Sequence, residues 1–138
     1  MATTQERMRV LFVDDDEPLR EMARHGLSQA GMAVSLAGNG HEALAQLERR
    51  SFDVTVVDIL MPEKEGLETI MEVRKRWPDL PVIAISGGGQ RGASAFLSTA
   101  KAFGAHLTLP KPFEMSDLAA AIEKLVSQGA EPQADAAD

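Results

Sequence analysis

The chain has 138 residues, 44% of them apolar and 25% charged, which sets the scale at one compact globular domain plus a short tail. Its 14 Lys+Arg against 21 Asp+Glu leave a net charge of −7, which argues against DNA, RNA or an anionic membrane surface as the ligand of the whole domain. Cysteine is absent, so disulfides, thiol catalysis and Cys-based zinc sites are excluded. No apolar run approaches the roughly 18 residues of a membrane span. The opening MATTQERM lacks the apolar core of a signal peptide. The expectation is a soluble, cytoplasmic, single-domain protein that buries about 68% of its unfolded surface without any staple.

Residues 1–8 are expected to be an extension. Arg9 to Val13 (RVLFV) is short, apolar and followed by acids, as a buried strand is. Pro18 then stands where the first turn of a helix tolerates its missing N–H, with Asp16 ahead of it as the N-cap. Leu19, Met22, Ala23 and Leu27 follow at helical spacing, and Gly31 closes the segment. Residues 32–37 read as a second strand. Asn39, with Glu42 three residues on, predicts a capped helix whose apolar stripe is Ala43, Leu44 and Leu47. Residues 54–57 are all β-branched and lie between Asp53 and Asp58, which marks a third strand. Leu67, Ile70, Met71 and Arg74 trace the next helix, which ends near Trp77 and Pro78. Residues 81–86 form a fourth strand running into Gly87, Gly88 and Gly89. A weaker helix over about 93–103 closes at Gly104, residues 106–109 form a fifth strand, and Leu118, Ile122 and Leu125 give the last helix its face. From Ser127 onward, SQGAEPQADAAD has no apolar face and is expected to be a disordered acidic tail, which leaves a domain over residues 9–126.

Five strand–helix units in succession require parallel strands joined by crossover helices. Strands that are apolar throughout suit a sheet covered on both faces. The predicted architecture is therefore α/β, a doubly wound five-stranded parallel sheet with helices on both sides. Met22, Met32 and Met71 read as core filler. Arg74, Lys75 and Arg76 read as a solvated helix end, and Trp77 as packing at that end. His25, His41 and His106 are scattered, without the spacing of a metal or phosphohistidine site.

In such a sheet, ligands bind outside the carboxyl ends of the strands, near the point where strand order reverses. Asp14, Asp15, Asp16 and Glu17 follow the first strand, Asp58 the third, Ser86 the fourth, and Lys111 with Pro112 the fifth. Acids, a hydroxyl and an amine thus converge on one edge. Carboxylates this close raise one another's pKa, and a divalent cation removes the conflict. A hard, oxygen-only site with room for water suits Mg²⁺. With the cation in place, one carboxylate can serve as nucleophile toward a phosphoryl group, while Ser86 donates a hydrogen bond and Lys111 neutralises an oxygen.

The stretches Val13-Asp14-Asp15, Asp58-Ile59-Leu60-Met61-Pro62 with Gly66-Leu67-Glu68, Ser86, and Lys111-Pro112-Phe113 resemble the receiver domain of two-component response regulators. The likeness runs from about Arg9 to Val126, in spacing as well as motif. It implies a flavodoxin-like (βα)₅ fold and a phosphorylation-dependent signalling switch rather than an enzyme. It implies Asp58 as phosphoacceptor and, with Mg²⁺ as cofactor, a ligand set of Asp15, Asp14 (often through water), Asp58 and the backbone carbonyl of Leu60. Ser86 and Lys111 take the switch-hydroxyl and phosphate-pairing roles. Asp16 extends the acidic run, so which acids touch metal stays open by one residue. The implied donor is a histidine kinase or histidine phosphotransfer protein, with output through contact with a downstream protein and not through nucleic acid or membrane. Because only a tail follows Val126, a stand-alone receiver is expected.

Two departures from the family pattern stand out. Thr108 occupies the position of the usual inward-rotating Tyr or Phe, and Gly87 to Gly92 make a long glycine-rich loop after Ser86. Two rival readings follow from the same residues. A small phosphatase of haloacid-dehalogenase type would use Asp14 as nucleophile with Asp16 as second acid. A receiver-like binding module would take no phosphate at all. A P-loop is not among the rivals, because Gly-Lys-Ser/Thr opening a helix is missing after Gly87 to Gly89.

Overall fold

The computed structural model describes residues 7–59, 65–87 and 98–128. Five strands, β1 (Arg9–Val13), β2 (Ala33–Ala37), β3 (Val54–Asp58), β4 (Val82–Ser86) and β5 (Leu107–Pro110), form one sheet in the order β2-β1-β3-β4-β5. Every pairing is parallel, in a register that sets Val10 against both Val34 and Val54 and Thr55 against Val82. The helices are α1 (Glu17–Gln29), α2 (Gly40–Arg49), α3 (Glu65–Arg76), a short helical stretch α4 (residues 98–102) and α5 (Met115–Ser127). Strand ends fall within a residue of those expected from the apolar runs. The expected acidic tail begins later than Ser127, which still belongs to α5 with Gln128 as its C-cap; residues 129–138 and 1–6 lie outside the described residues.

Side chains alternate between the two faces of a strand, so β1 feeds two cores. Val10 and Phe12 join Ala23, Leu27, Ile83, Leu118 and Ile122 beneath α1 and α5. Leu11 and Val13 join Ala43, Leu47, Val57, Ile70, Val73 and Ala84 on the opposite face, beneath α2 and α3. This is why the strand sequences show no polar alternation. The inner strands β3 and β4 are buried at every position, whereas the edge strands β2 and β5 are half-buried along most of their length.

Local signals place the helix ends. Asp16 Oδ1 accepts the Leu19 N–H at 3.3 Å and caps α1. Asn39 Oδ1 accepts the Glu42 N–H at 2.8 Å, and Glu42 reaches back one residue further than a capping box, to the Gly38 N–H at 2.7 Å. Gly31 takes a φ of 90°, which a side chain would strain.

Three readings of surface residues need correction. Met32 is buried, but Met22 and Met71 are 58% and 51% exposed. Each stands one residue off its helix's buried stripe, next to Ala23 and Ile70, and that step of about 100° turns it outward. The basic end of α3 is not simply solvated. Arg76 pairs with Glu48 of α2 and with Glu72, and lies 4.5 Å over the ring of Trp77, which packs on the core below. Arg74 Nη1 donates to the Pro78 carbonyl at 2.6 Å. Among the described residues no helix is long and apolar enough to cross a membrane.

His106 also has a task its isolation in the sequence did not suggest. Its backbone N–H donates to Val82 O at 2.7 Å and its Nδ1 accepts the Val82 N–H at 3.1 Å, tying the starts of β4 and β5 together. Burial, with Arg74 and Lys101 nearby, lowers the His106 pKa from its ordinary value. Because the folded-state pKa is depressed, the neutral ring's contribution is present above pH about 6.5 and is lost as pH falls through the folded-state pKa. Protonation puts a donor on Nδ1 against the Val82 donor and removes a hydrogen bond worth about 1 kcal/mol. His106→Asn, which keeps an acceptor at that place, is expected to show a smaller loss of stability between pH 7 and pH 5. Urea midpoints of both proteins at the two pH values check this, and parallel losses would refute it.

Candidate functional site

The chain leaves β1 for β2 on one side and returns to β3 on the other, so strand order reverses between β1 and β3. Asp14, directly after β1, and Asp58, the last residue of β3, flank that point. Both are buried, Asp14 completely. Lys111, just beyond β5, reaches back between them, with Nζ 3.0 Å from Asp14 Oδ2 and 3.2 Å from Asp58 Oδ2. Asp14 Oδ1 accepts the Asp16 N–H at 3.0 Å. One carboxylate oxygen from each of Asp14, Asp15 and Asp58 lies within 4.8 Å of the others, with Asp15 on the exposed side.

The electrostatics follow from that layout. Burial raises the Asp14 pKa, the Asp16 N–H counters it, the negative charge of Asp58 adds to the rise, and the Lys111 ammonium offsets part of it. Burial alone would lower the Lys111 pKa, but its bond to Asp14 and the charge of Asp58 outweigh this and the pKa is raised. One ammonium thus bridges two buried carboxylates. Lys111 pairs with two of the three carboxylates, Asp14 and Asp58, so oxygens of the trio remain for a hard divalent ion. The donor set fits Mg²⁺: oxygen only, clustered, and open to water on the Asp15 side.

Ser86 ends β4 fully buried, and its Oγ has no hydrogen-bond partner among the described residues. Buried hydroxyls are normally paired, and this one is free to bond an incoming oxygen. The Lys111 N–H donates to the Ser86 carbonyl at 2.8 Å, which couples the two residues across β4 and β5. Gly87 makes room for the lysine stem: a Cβ there would sit 2.7 Å from Lys111 Cβ and 2.8 Å from its Cδ.

Asp14, Asp15, Asp58, Ser86 and Lys111, expected from the sequence to converge, are brought together. Asp16 caps α1 through its Oδ1 and stands outside the trio of Asp14, Asp15 and Asp58. Leu60 and residues 88–92 of the glycine-rich loop lie outside the described residues. Thr108 lies in β5, half-buried, paired with Ala84. A groove of about 750 Å³ among Leu47, Phe52, Arg76, Trp77 and Pro81 opens at the opposite edge of the sheet, away from this chemistry.

Gly66 was part of a motif in the sequence, and its physical reason is a close approach. A Cβ at this position would fall 2.2 Å from the Asp58 carbonyl oxygen and 2.4 Å from Ile59 Cα. The first turn of α3 therefore lies against the backbone that carries Asp58. Gly66→Ala is expected to lower stability by about 3 kcal/mol, since rigid backbone must move. Urea denaturation checks this, and a loss below about 1 kcal/mol would contradict it.

The comparisons with known proteins agree with the geometry. Residues 10–123 match the family described as the response regulator receiver domain. Response regulator MprA of Mycobacterium leprae is 38% identical over 119 residues, covering 86% of this chain and 51% of that protein. The DNA-binding transcriptional regulator NtrC of Salmonella typhimurium is 35% identical over 124 residues, covering 90% of this chain and 26% of that protein. The chain thus spans about half the length of the first relative and about a quarter of the second. Among solved structures, a CheY-like receiver domain protein from Methanospirillum hungatei superposes with a TM-score of 0.79 at 28% identity, covering 91% of this chain and 98% of that one. The chemotaxis response regulator CheY4 of Vibrio cholerae gives 0.78 at 31% identity, covering 87% and 99%.

Proposed function

Because the chain belongs to the response regulator receiver domain family, we propose that it is a phosphorylation-dependent switch of a two-component phosphorelay, with Asp58 as phosphoacceptor and Mg²⁺ as cofactor. Receiver domains are signalling domains, and on this reading the chain turns over no substrate beyond its own phosphoryl group. The donor is the phosphohistidine of a histidine kinase or histidine phosphotransfer protein. An Asp58 carboxylate oxygen forms the new bond to phosphorus as the donor's P–N bond breaks. The electron pair leaves with the imidazole nitrogen, and Asp58 becomes a mixed anhydride.

When bound, a divalent cation supplies positive charge to the phosphoryl oxygens. Asp14, Asp15 and Asp58 would hold it, together with the Leu60 carbonyl expected from the family pattern. Lys111, shared between Asp14 and Asp58 before transfer, is free to follow the new charge onto a phosphoryl oxygen. Ser86 Oγ donates to another. That buried hydroxyl without a partner, at the end of β4 next to Lys111, is the observation that supports the reading most directly.

The acyl phosphate brings about 2 negative charges to the edge where Ser86 and Lys111 join β4 to β5. It favours arrangements in which both close on Asp58, and this shifts the population presented to a partner. Output is through contact with a downstream protein, in the cytoplasm. Thr108 leaves the fifth strand without an aromatic ring to rotate, so the readout falls to the backbone around Ser86 and Lys111.

Intact-mass measurement after incubation with acetyl phosphate and Mg²⁺ tests the proposal. One added phosphoryl group, absent when EDTA is present, is the expected result. No adduct from acetyl phosphate or from a phosphohistidine donor would favour the receiver-like binding module instead.

A further inference from the structure

Arg20 lies one turn into α1, half-buried, and its Nη1 donates to the backbone carbonyl of Asp14 at 2.8 Å. That carbonyl sits where the ladder between β1 and β2 stops. The Asp14 N–H still pairs with Ala37 O at 3.1 Å, but at Gly38 the chain turns away toward the cap of α2. The guanidinium takes over as donor, and it reaches the carbonyl across Gly38. A Cβ on Gly38 would lie 3.3 Å from Arg20 Nη1 and 3.6 Å from its Cζ. Gly38 is itself held by Glu42, whose Oε1 accepts the Gly38 N–H.

The carbonyl so held belongs to the peptide joining Asp14 to Asp15. A peptide is planar, so fixing its oxygen fixes where the Asp15 residue begins. The other two acids have anchors of their own. Asp14 is bonded to Lys111 and to the Asp16 N–H, and Asp58 to Lys111. Among the described residues the Asp15 side chain makes no hydrogen bond or ion pair, so its direction depends on its backbone. We propose that Arg20 is a positioning residue for divalent-cation uptake: through the Asp14 carbonyl it keeps the Asp15 carboxylate turned toward Asp14 and Asp58. The inference rests on the reading of that trio as the cation site.

Charge alone makes the opposite forecast. A guanidinium this close to the trio repels a divalent cation, so deleting it would tighten binding if positioning counted for nothing. The test therefore reads a sign. MgCl₂ is titrated calorimetrically into the full chain as wild type, Arg20→Met, Arg20→Lys and Asp58→Asn, with urea midpoints taken in EDTA. Arg20→Met is expected to weaken Mg²⁺ binding roughly tenfold, in the range for residues that orient metal ligands. Arg20→Lys, which keeps a donor, is expected to recover most of the affinity whatever its midpoint. Equal or tighter binding by Arg20→Met overturns the role of Arg20 alone. No saturable Mg²⁺ uptake by the wild type, or uptake indifferent to Asp58→Asn, overturns the cation-site reading and this inference with it. Should Arg20→Met fail to fold, Gly38→Ala, which crowds the guanidinium with one methyl group, carries the same expected weakening, and unchanged affinity there overturns the inference.

Discussion

Asp58→Asn is expected to remove phosphoryl acceptance completely while leaving the fold intact. The amide matches the carboxylate in shape but offers no anionic oxygen to attack phosphorus. Lys111 keeps its other partner, since its Nζ lies 3.0 Å from Asp14 Oδ2 independently of residue 58. The substitution also removes a negative charge that helps to raise the Asp14 pKa, so Asp14 ionises more readily beside the lysine. Stability should therefore change by less than about 1 kcal/mol and lean upward. Intact mass and urea denaturation on one preparation check both halves. A phosphoryl adduct that persists in the variant would move the acceptor to another residue, with Asp14 the first to examine.

Lys111→Met produces the second large effect, and here chemistry and stability fall together. Without the ammonium, two buried carboxylates face each other and lose the cation that bridges them. Breaking a fully buried pair costs about 3–5 kcal/mol. The lysine side chain is 22% exposed and methionine keeps most of its stem against Gly87, so about 2 kcal/mol is expected. The variant should regain stability as pH falls from 8 toward 5. Burial already raises the Asp14 pKa, losing the ammonium raises it further, and protonation then relieves the repulsion. Added Mg²⁺ should restore stability by the same logic. Phosphorylation at saturating Mg²⁺ is expected to slow about a hundredfold, the scale for removing one charge-stabilising donor. Time-resolved intact mass measures it, and a rate within threefold of wild type would take Lys111 out of the reaction.

The strands and the acid–hydroxyl–lysine set were legible because each rests on local sequence. Short apolar runs report a sheet buried on both faces, and residues at strand ends converge once the sheet is parallel. What escaped reading depends on who faces whom across the fold. Met22 and Met71 miss the buried stripe by one residue, and an approximate 3.6 period does not resolve that step. The partners of His106 and Arg20 are backbone groups of Val82 and Asp14, and backbone groups leave no trace in sequence. Gly66 was visible as a letter in a motif, but the contact with the Asp58 carbonyl that requires glycine belongs to the fold. Ser86 was assigned a role, whereas only the structure shows that its hydroxyl has no partner among the described residues.

The lysine at the centre of this arrangement stands 97 residues from one acid and 53 from the other. A nascent chain therefore carries both carboxylates long before it carries their counter-charge. Until the fifth strand docks, the two acids must stay apart, take up protons or borrow a cation from solution. The last strand to be synthesised is thus the one that settles the electrostatics of the first. On the proposed reading, competence to accept a phosphoryl group arrives only once β5 has docked.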